Sequence, residues 1–164
     1  LIRMYKFKSI VLLLAGAVLA SCGSKSGTDT TTAAPAEAQS MVKDAASYDP
    51  ARGEGKWTAE MLKMGETIDV TMAGGGQKIQ SVKCASCHKL TNEKLVGPGW
   101  KGVTERRKAE WIMNFITNPD PMIDKDPEVQ AQLEICLVRM PNQNLTDDEA
   151  RQVLEFMRQN DGAK

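Results

Sequence analysis

Cys84-Ala85-Ser86-Cys87-His88 is the stretch from which the fold of this chain can be worked out. Its C-x-x-C-H spacing is the one that attaches a c-type haem. The Cys84 and Cys87 thiols can each form a thioether with one vinyl group of the porphyrin, while the His88 imidazole binds the iron from below. The motif therefore predicts one covalently attached haem c, held by Cys84, Cys87 and His88.

Two other chemistries use a C-x-x-C pair, and both fit this chain less well. A structural zinc site needs four nitrogen or sulfur ligands. His88 is the only histidine, and Cys136 is the only other thiol apart from Cys22 near the start of the chain. A thioredoxin-type pair normally follows a strand of a βαβ unit, and no such pattern surrounds Cys84. Haem attachment is the interpretation that the sequence favours.

The first 21 residues have the pattern of a lipoprotein signal peptide. A short positive n-region comes first, formed by Arg3, Lys6 and Lys8. Ile10–Ala20 is an apolar run typical of a signal-peptide core and too short for a permanent transmembrane helix. The run leads into Leu19-Ala20-Ser21-Cys22, which resembles a bacterial lipobox, so we expect cleavage before Cys22 and lipidation of that residue. The alternative is a plain secretory signal in which Cys22 occurs by chance.

Export and lipidation predict a periplasmic protein anchored to a bacterial membrane by the lipid on Cys22. Thioether attachment of haem also takes place outside the cytoplasm, so the two predictions support each other. Residues 23–40 are rich in Ser, Thr, Ala, Pro and Gly, a composition that cannot offset the entropy lost on ordering. We predict a signal peptide over residues 1–21, a lipidated cysteine and flexible tether over 22–55, and the haem domain over 56–164.

The charge of the chain is balanced overall and uneven along its length. The chain has 21 basic and 21 acidic residues, and removal of the three basic residues in the signal leaves a mildly acidic protein. We therefore expect no affinity for nucleic acid. Residues 78–108 carry eight basic and two acidic side chains, whereas residues 120–161 carry four basic and ten acidic ones. This asymmetry predicts a dipole that orients docking, unless both regions are ordinary solvated faces.

Apolar spacing predicts an all-α haem domain without strands or internal repeats. Gly74-Gly75-Gly76 indicates a break before a short helix over residues 77–83 that leads into the motif. A second helix is predicted to end before Asn118-Pro119. Its apolar face consists of Trp111, Ile112, Phe115 and Ile116.

Two further helices are predicted in the last third of the chain. Asp126-Pro127 has the pattern of an N-cap followed by the first helical residue. The apolar positions of that helix are Val129, Leu133, Cys136 and Leu137. This spacing makes Cys136 a small buried core thiol rather than a reactive or ligating group. Thr146-Asp147-Asp148-Glu149 predicts a capping box at the start of the last helix.

A haem iron with histidine on one side needs a second axial ligand or has an open site. The chain has no second histidine, and a methionine thioether is the usual partner, which raises the reduction potential. Met140-Pro141 lies in a loop between two predicted helices, 52 residues after His88, where its sulfur can reach the opposite haem face. Met122, in a Pro-rich loop, is the rival, whereas Met113 and Met157 lie within helices and are expected to pack in the core. We predict His88 and Met140 as the iron ligands.

The chain resembles the small monohaem class I c-type cytochromes over residues 74–160. The resemblance rests on the C-x-x-C-H motif, on the segment LVGPGWKGV at 95–103, and on Met140-Pro141 followed by LTDDEA at 145–150. It implies the class I cytochrome c fold, in which helices wrap around one covalently attached haem. Residues 106–114 and Asn118-Pro119 also resemble lipoprotein cytochromes that accompany periplasmic terminal reductases, nitrous-oxide reductase among them.

The same resemblance assigns roles to residues outside the motif. It implies that the backbone carbonyl of Pro98 accepts a hydrogen bond from the proximal histidine and so fixes its ring. It also implies that the first and last helices cross with Gly76 against Phe156. Gln80 departs from the family pattern, because an aromatic residue is usual four positions before the first haem cysteine.

These expectations predict a one-electron carrier, not an enzyme, with no small-molecule substrate because both axial positions are filled. Its redox partners would be a quinol-oxidising complex as donor and a terminal reductase or oxidase as acceptor. A haem enzyme or gas sensor would need an open distal site instead. A permanent haem subunit of a respiratory membrane complex would need a broad apolar surface, which residues around Trp57 and Met61–Met64 could supply.

Overall fold

The computed structural model describes residues 47–164, and this range is helical without β-strands, as predicted. The predicted signal peptide, Cys22 and most of the predicted tether lie outside the described residues. Within 47–164, no helix combines the length and apolarity needed to cross a bilayer. The helices are α1 (Ala59–Leu62), α2 (Val70–Ile79), α3 (Val103–Arg106), α4 (Ala109–Thr117), α5 (Pro119–Lys125), α6 (Pro127–Cys136) and α7 (Asp147–Asp161).

The most extensive helix–helix packing joins α2 to α7. A Cβ atom on Gly76 would lie 2.0 Å from the Gln152 backbone oxygen and 2.8 Å from the Phe156 Cβ. The two backbones therefore approach so closely that only glycine fits, and the crossing of Gly76 with Phe156 is confirmed.

The predicted helix break at the three glycines was wrong. Helix α2 begins after the N-cap Asp69, whose side chain accepts a hydrogen bond from the Met72 amide at 2.9 Å, and it continues through residues 74–76. Glycine weakens an isolated helix by about 0.5–1 kcal/mol relative to alanine, but here the contact with α7 supplies the stabilisation. Local propensity was overridden by tertiary packing.

Helix α4 ends as the sequence indicates, but the next segment is a helix rather than a loop. The carboxyl end of α4 is Thr117, and Pro119 then serves as the first residue of α5. Proline suits this position because it lacks the amide hydrogen that the first turn cannot use. Met122, which we placed in a Pro-rich loop, lies within α5 and is fully buried.

Helix α6 starts where predicted and stops earlier than its apolar spacing suggests. The Asp126 side chain caps it by accepting hydrogen bonds from the amides of Glu128 and Val129. The helix ends at Cys136 because Leu137 adopts a left-handed conformation with φ of 60°. Leu137 is 83% exposed, so its assignment to the apolar face was wrong. Cys136 is only half-buried, so its assignment to the core was wrong as well.

The segment before α1 belongs to the folded domain. The Tyr48 hydroxyl donates a hydrogen bond of 2.6 Å to the Asp126 carboxylate. A Cβ atom on Gly53 would lie 2.5 Å from the Met122 Cε, so the chain passes directly against α5. Residues 48–53, which we predicted as the end of the tether, are thus packed against the domain.

The last helix has the start that its sequence predicts. The Thr146 side chain accepts a hydrogen bond from the Glu149 amide at 3.2 Å, and the Glu149 carboxylate accepts one from the Thr146 amide at 2.9 Å. This reciprocal pair is the capping box. The apolar stripe of α7 is buried in the core, formed by Ala150, Val153, Leu154, Phe156 and Met157.

Candidate haem site

A wide helical turn presents the cysteine motif. Helix α2 continues into a π-helical turn over Gln80–Cys84, in which the Ala85 amide donates to the Gln80 oxygen at 2.9 Å, five residues back. The amides of Cys87 and His88 then both donate to the Cys84 oxygen, at 3.0 and 2.9 Å. Single π turns inside helices occur frequently at functional sites. This one fixes the direction in which both thiols leave the backbone.

The two motif thiols have different surroundings. Cys84 is buried, and burial raises the pKa of its thiol to about 11. The side chain of Cys87 is half-buried. Both residues line the same cavity, so their two thiols could hold one porphyrin there through thioethers.

The orientation and tautomer of His88 are fixed by the loop after it. Its Nδ1 lies 2.8 Å from the Pro98 carbonyl oxygen. Because a carbonyl oxygen can only accept, Nδ1 carries the proton and Nε2 keeps the lone pair that can bind a metal. Burial lowers the pKa of the His88 imidazole, which favours the neutral, ligating form.

The loop that carries Pro98 packs tightly against the imidazole. A Cβ atom on Gly97 would lie 2.4 Å from the His88 Cε1, so no larger residue fits there without moving the ring. The Gly97 amide donates to the Cys87 oxygen at 2.9 Å, and the Trp100 amide donates to the Lys89 oxygen at 2.9 Å. The Trp100 ring lies 5.8 Å from the imidazole, centre to centre. The segment 95–103 thus acts as a rigid backing for the proximal side.

A cavity of about 450 Å³ opens in front of His88. This volume falls within the range of about 300–1,000 Å³ that is usual for cofactor sites. Its walls are largely apolar and come from the motif, α4, α6, α7 and the segments that join them. Apolar wall residues include Val96, Trp100, Val103, Trp111, Ile112, Phe115, Ile116, Ile123, Val129 and Leu133.

Position separates the candidate methionine ligands. Met140 and Met157 both line the cavity, whereas Met122 and Met113 do not. Met122 packs against Gly53 instead, on the side of α5 toward the N-terminal segment. Met157 is buried within α7, so its wall position is set by a rigid helix. Met140 lies in the segment between α6 and α7, as the sequence predicts.

Two basic side chains in the cavity wall, Lys83 and Arg107, lie close to acidic side chains. Arg107 forms an ion pair with Glu128 and stacks on the Trp111 ring, with 4.3 Å between its guanidinium carbon and the ring centre. Lys83 lies 3.6 Å from Glu149. These pairs join the basic region 78–108 to the acidic region 120–161. The two pairs place part of the positive charge of the first region next to negative charge of the second, and the predicted dipole stays a prediction.

The donor set and the walls of this cavity fit a covalently attached haem. Two thiols and one imidazole come from a single turn, and the hydrogen bond to Pro98 holds the imidazole in its ligating tautomer. A thioether is available from another wall, and the remaining surface is apolar, as a porphyrin requires. Within residues 47–164, no cluster of three or more His, Cys, Asp or Glu side chains could hold a bare metal ion instead.

The family model for cytochrome c matches residues 73–161. The chain belongs to the cytochrome c family. Members of this family carry a covalently bound haem c and transfer electrons, so this cytochrome is an electron-transfer haem protein and not an enzyme. The class I fold predicted from the motifs is confirmed.

Solved structures of other cytochromes c resemble this one. A cytochrome c from Rhodothermus marinus is 31% identical and has a TM-score of 0.60, covering 68% of this chain and 92% of its own. An engineered form of that protein is 30% identical with a TM-score of 0.61, covering 69% and 98%. A third structure, of the engineered form bound to a carbene intermediate, is 30% identical with a TM-score of 0.58, covering 69% and 98%. No curated protein matches the sequence.

The part that three residues of this cytochrome play in shaping the site was not predicted from the sequence. Asp126 receives hydrogen bonds from Trp111 in the cavity wall and from Tyr48, and Arg139 binds two aspartates beside Met140. Met157 was assigned to the core alone. The helical spacing from Val153 and Leu154 to Met157 predicted burial correctly, but spacing alone cannot distinguish a core wall from a cofactor wall.

Proposed function

We propose that this cytochrome is a membrane-anchored periplasmic carrier. It moves single electrons from a quinol-oxidising complex to a terminal reductase or oxidase. His88 and Met140 would bind the haem iron, and Cys84 and Cys87 would hold the porphyrin. The observation that carries the proposal is that both ligands line one apolar cavity, with His88 locked by the Pro98 carbonyl. A terminal reductase such as nitrous-oxide reductase is the acceptor class that its lipoprotein resemblance favours.

The residues around the cavity support electron transfer by restraining the haem ligand His88 and by excluding water from the haem site. The haem, when bound, supplies the one-electron ferrous–ferric couple. The Pro98 carbonyl restrains the His88 ring and increases its electron donation through the Nδ1 hydrogen bond. Trp100, Trp111 and Ile112 are buried in the wall and exclude water. With two protein ligands on the iron, no position is left for a substrate.

The residues considered for a permanent-subunit surface do not form one. Trp57 and Leu62 are buried in the core of the domain. Met64 is partly buried against that core. Among the large apolar side chains of this stretch, only Met61 is exposed, with 54% of its surface accessible to solvent. This stretch therefore does not support a permanent-subunit surface.

Replacing Met140 tests the ligation and the carrier function together. We expect Met140→Ala to abolish the weak long-wavelength band of sulfur-ligated ferric haem and to lower the reduction potential, because methionine ligation favours the ferrous state. The variant should also bind carbon monoxide tightly when reduced, whereas the native protein should not. An optical redox titration and a carbon monoxide titration measure both effects.

Met157→Leu is the matched control, because Met157 lines the same cavity from α7. It should keep the long-wavelength band and a potential close to that of the native protein. If Met140→Ala left the spectrum unchanged, or if Met157→Leu removed the band, the assignment of Met140 would be wrong. Tight carbon monoxide binding by the native ferrous protein would favour a haem enzyme or gas sensor.

The membrane anchor is tested by cell fractionation. In a Gram-negative host that matures c-type cytochromes, we expect Cys22→Ser to move the haem protein from the membrane pellet to the soluble periplasmic fraction. The acyl chains on Cys22 would be lost, and each buried methylene contributes about 0.8 kcal/mol to anchoring. Cys136→Ser is the matched control and should remain in the pellet. Equal distribution of the native protein and Cys22→Ser would refute lipid anchoring.

A further inference from the structure

The segment that carries Met140 is held in place by side chains. In the part of the chain that the structure describes, no backbone–backbone hydrogen bond joins any of residues 138–145 to another residue. The amide of Asn144 donates to the Asn142 side chain at 2.8 Å, which shapes the turn locally without fixing it to a helix. The position of the Met140 sulfur therefore depends on contacts made by neighbouring side chains.

Arg139, the residue before Met140, makes such a contact. Its Nη1 donates to the Asp124 Oδ1 at 2.9 Å, and its Nη2 donates to the Asp120 Oδ1 at 3.2 Å. Both aspartates stand on α5, which is fixed in the core by buried Met122 and Ile123.

Met140 and Leu145 also pack against the core, and the segment's other hydrogen bonds to the rest of the domain lie after Met140 in the sequence. The Asn142 side chain donates to the Thr117 oxygen at 3.3 Å, and Lys83 donates to the Gln143 oxygen at 3.3 Å. Both are longer than the Arg139–Asp124 bond. Before Met140, α6 has already ended at Cys136. The contact of Arg139 with α5 is thus the one that fixes the segment on the N-terminal side of Met140.

We propose that Arg139, bound by Asp120 and Asp124, is a positioning residue that keeps the Met140 sulfur on the haem iron. The proposal rests on the proposed function, because it requires Met140 to be the ligand. A single exposed ion pair contributes little, but one planar guanidinium shared by two carboxylates loses less side-chain freedom per hydrogen bond. Loss of this clamp raises the fraction of molecules in which the sulfur has left the iron.

Competition by a neutral ligand measures that fraction. The apparent affinity of ferric haem for imidazole is proportional to the population with an open distal position. We expect Arg139→Gln to raise this affinity about fivefold. Arg139→Lys keeps the charge but cannot bridge both aspartates, so it should fall between the native protein and Arg139→Gln. The paired variant Asp120→Asn/Asp124→Asn should reproduce the effect of Arg139→Gln.

Lys56→Gln is the matched control, because Lys56 forms an exposed ion pair with Asp147 away from this segment. It should leave the imidazole affinity unchanged. Added salt should raise imidazole affinity in the native protein and not in Arg139→Gln, because screening weakens the clamp only where it exists. Thermal unfolding of each variant separates a local effect from general destabilisation.

The outcomes distinguish this proposal from the ligand assignment. If Met140→Ala removes the long-wavelength band while Arg139→Gln leaves imidazole affinity unchanged, Met140 remains the ligand and the clamp is refuted. Arg139 also lines the cavity. If Arg139→Gln acts but the paired aspartate variant does not, Arg139 acts on the haem directly and the clamp is likewise refuted. If Met140→Ala leaves the band intact, the proposed function itself fails.

Discussion

Gly76→Ala is expected to lower the free energy of unfolding by about 3 kcal/mol, at the upper end for an overpacked site. The added Cβ would lie 2.0 Å from the Gln152 carbonyl oxygen. That oxygen belongs to the backbone of α7 and cannot rotate away as a side chain could. The two helices must move apart, and the wall that α7 gives the haem cavity moves with them. Urea unfolding followed by haem absorbance measures the loss.

Gly74→Ala is the matched control on the same helix. No atom lies within 4 Å of the Cβ that alanine would add there. Alanine is a better helix former than glycine by about 0.5–1 kcal/mol, so this variant should be as stable as the native protein or more stable. If both variants had the same stability, the close approach of α2 and α7 would not be what requires glycine at position 76.

Asp126→Ala is expected to lower the free energy of unfolding by about 3–4 kcal/mol, through buried donors left unpaired and a lost helix cap. Asp126 is 1% exposed and receives four hydrogen bonds. Its Oδ2 accepts from the Tyr48 hydroxyl at 2.6 Å and the Trp111 Nε1 at 2.9 Å. Its Oδ1 caps α6. One carboxylate therefore joins the segment before α1, the cavity wall and α6.

Two variants separate the contributions of Asp126. Tyr48→Phe removes one donor and should lower the free energy of unfolding by about 1 kcal/mol. Thr146→Ala removes an N-cap from α7 without disturbing a buried network, and should also lower it by about 1 kcal/mol. Chemical denaturation of the three variants gives the comparison. An Asp126→Ala effect no larger than that of Thr146→Ala would show that Asp126 acts as a helix cap alone.

The parts of the site that depend on local chemistry could be predicted from the sequence. The motif at 84–88, the Pro98 carbonyl and the loop position of Met140 depend on short-range spacing, and the structure places them around one cavity. The capping box at Thr146 is equally local. Each of these signals is contained within a few neighbouring residues, so no knowledge of the folded chain was needed.

The errors arise where distant segments meet. Gly76 has the sequence pattern of a helix break, but it lies within a helix because Gln152 of α7 packs against it. Tyr48 was predicted to lie in the tether, but it belongs to the folded domain because its hydroxyl donates a hydrogen bond to the Asp126 carboxylate, 78 positions later. Each correction depends on a partner that spacing cannot identify.

The wide turn at Gln80–Cys84 has a consequence for how insertions and deletions are tolerated in this region. It stores one residue more than regular α-helical winding would hold, and each residue of an α-helix turns the chain by about 100°. A deletion in regular helix would swing the following residues by that angle, but deleting Val82, whose side chain is 82% exposed, would convert the wide turn into a regular one and leave Cys84 and Cys87 facing nearly the same direction. The α2–α7 crossing would be unaffected. The wide turn therefore lets this segment lose one residue without changing the direction in which the two motif cysteines face relative to α2.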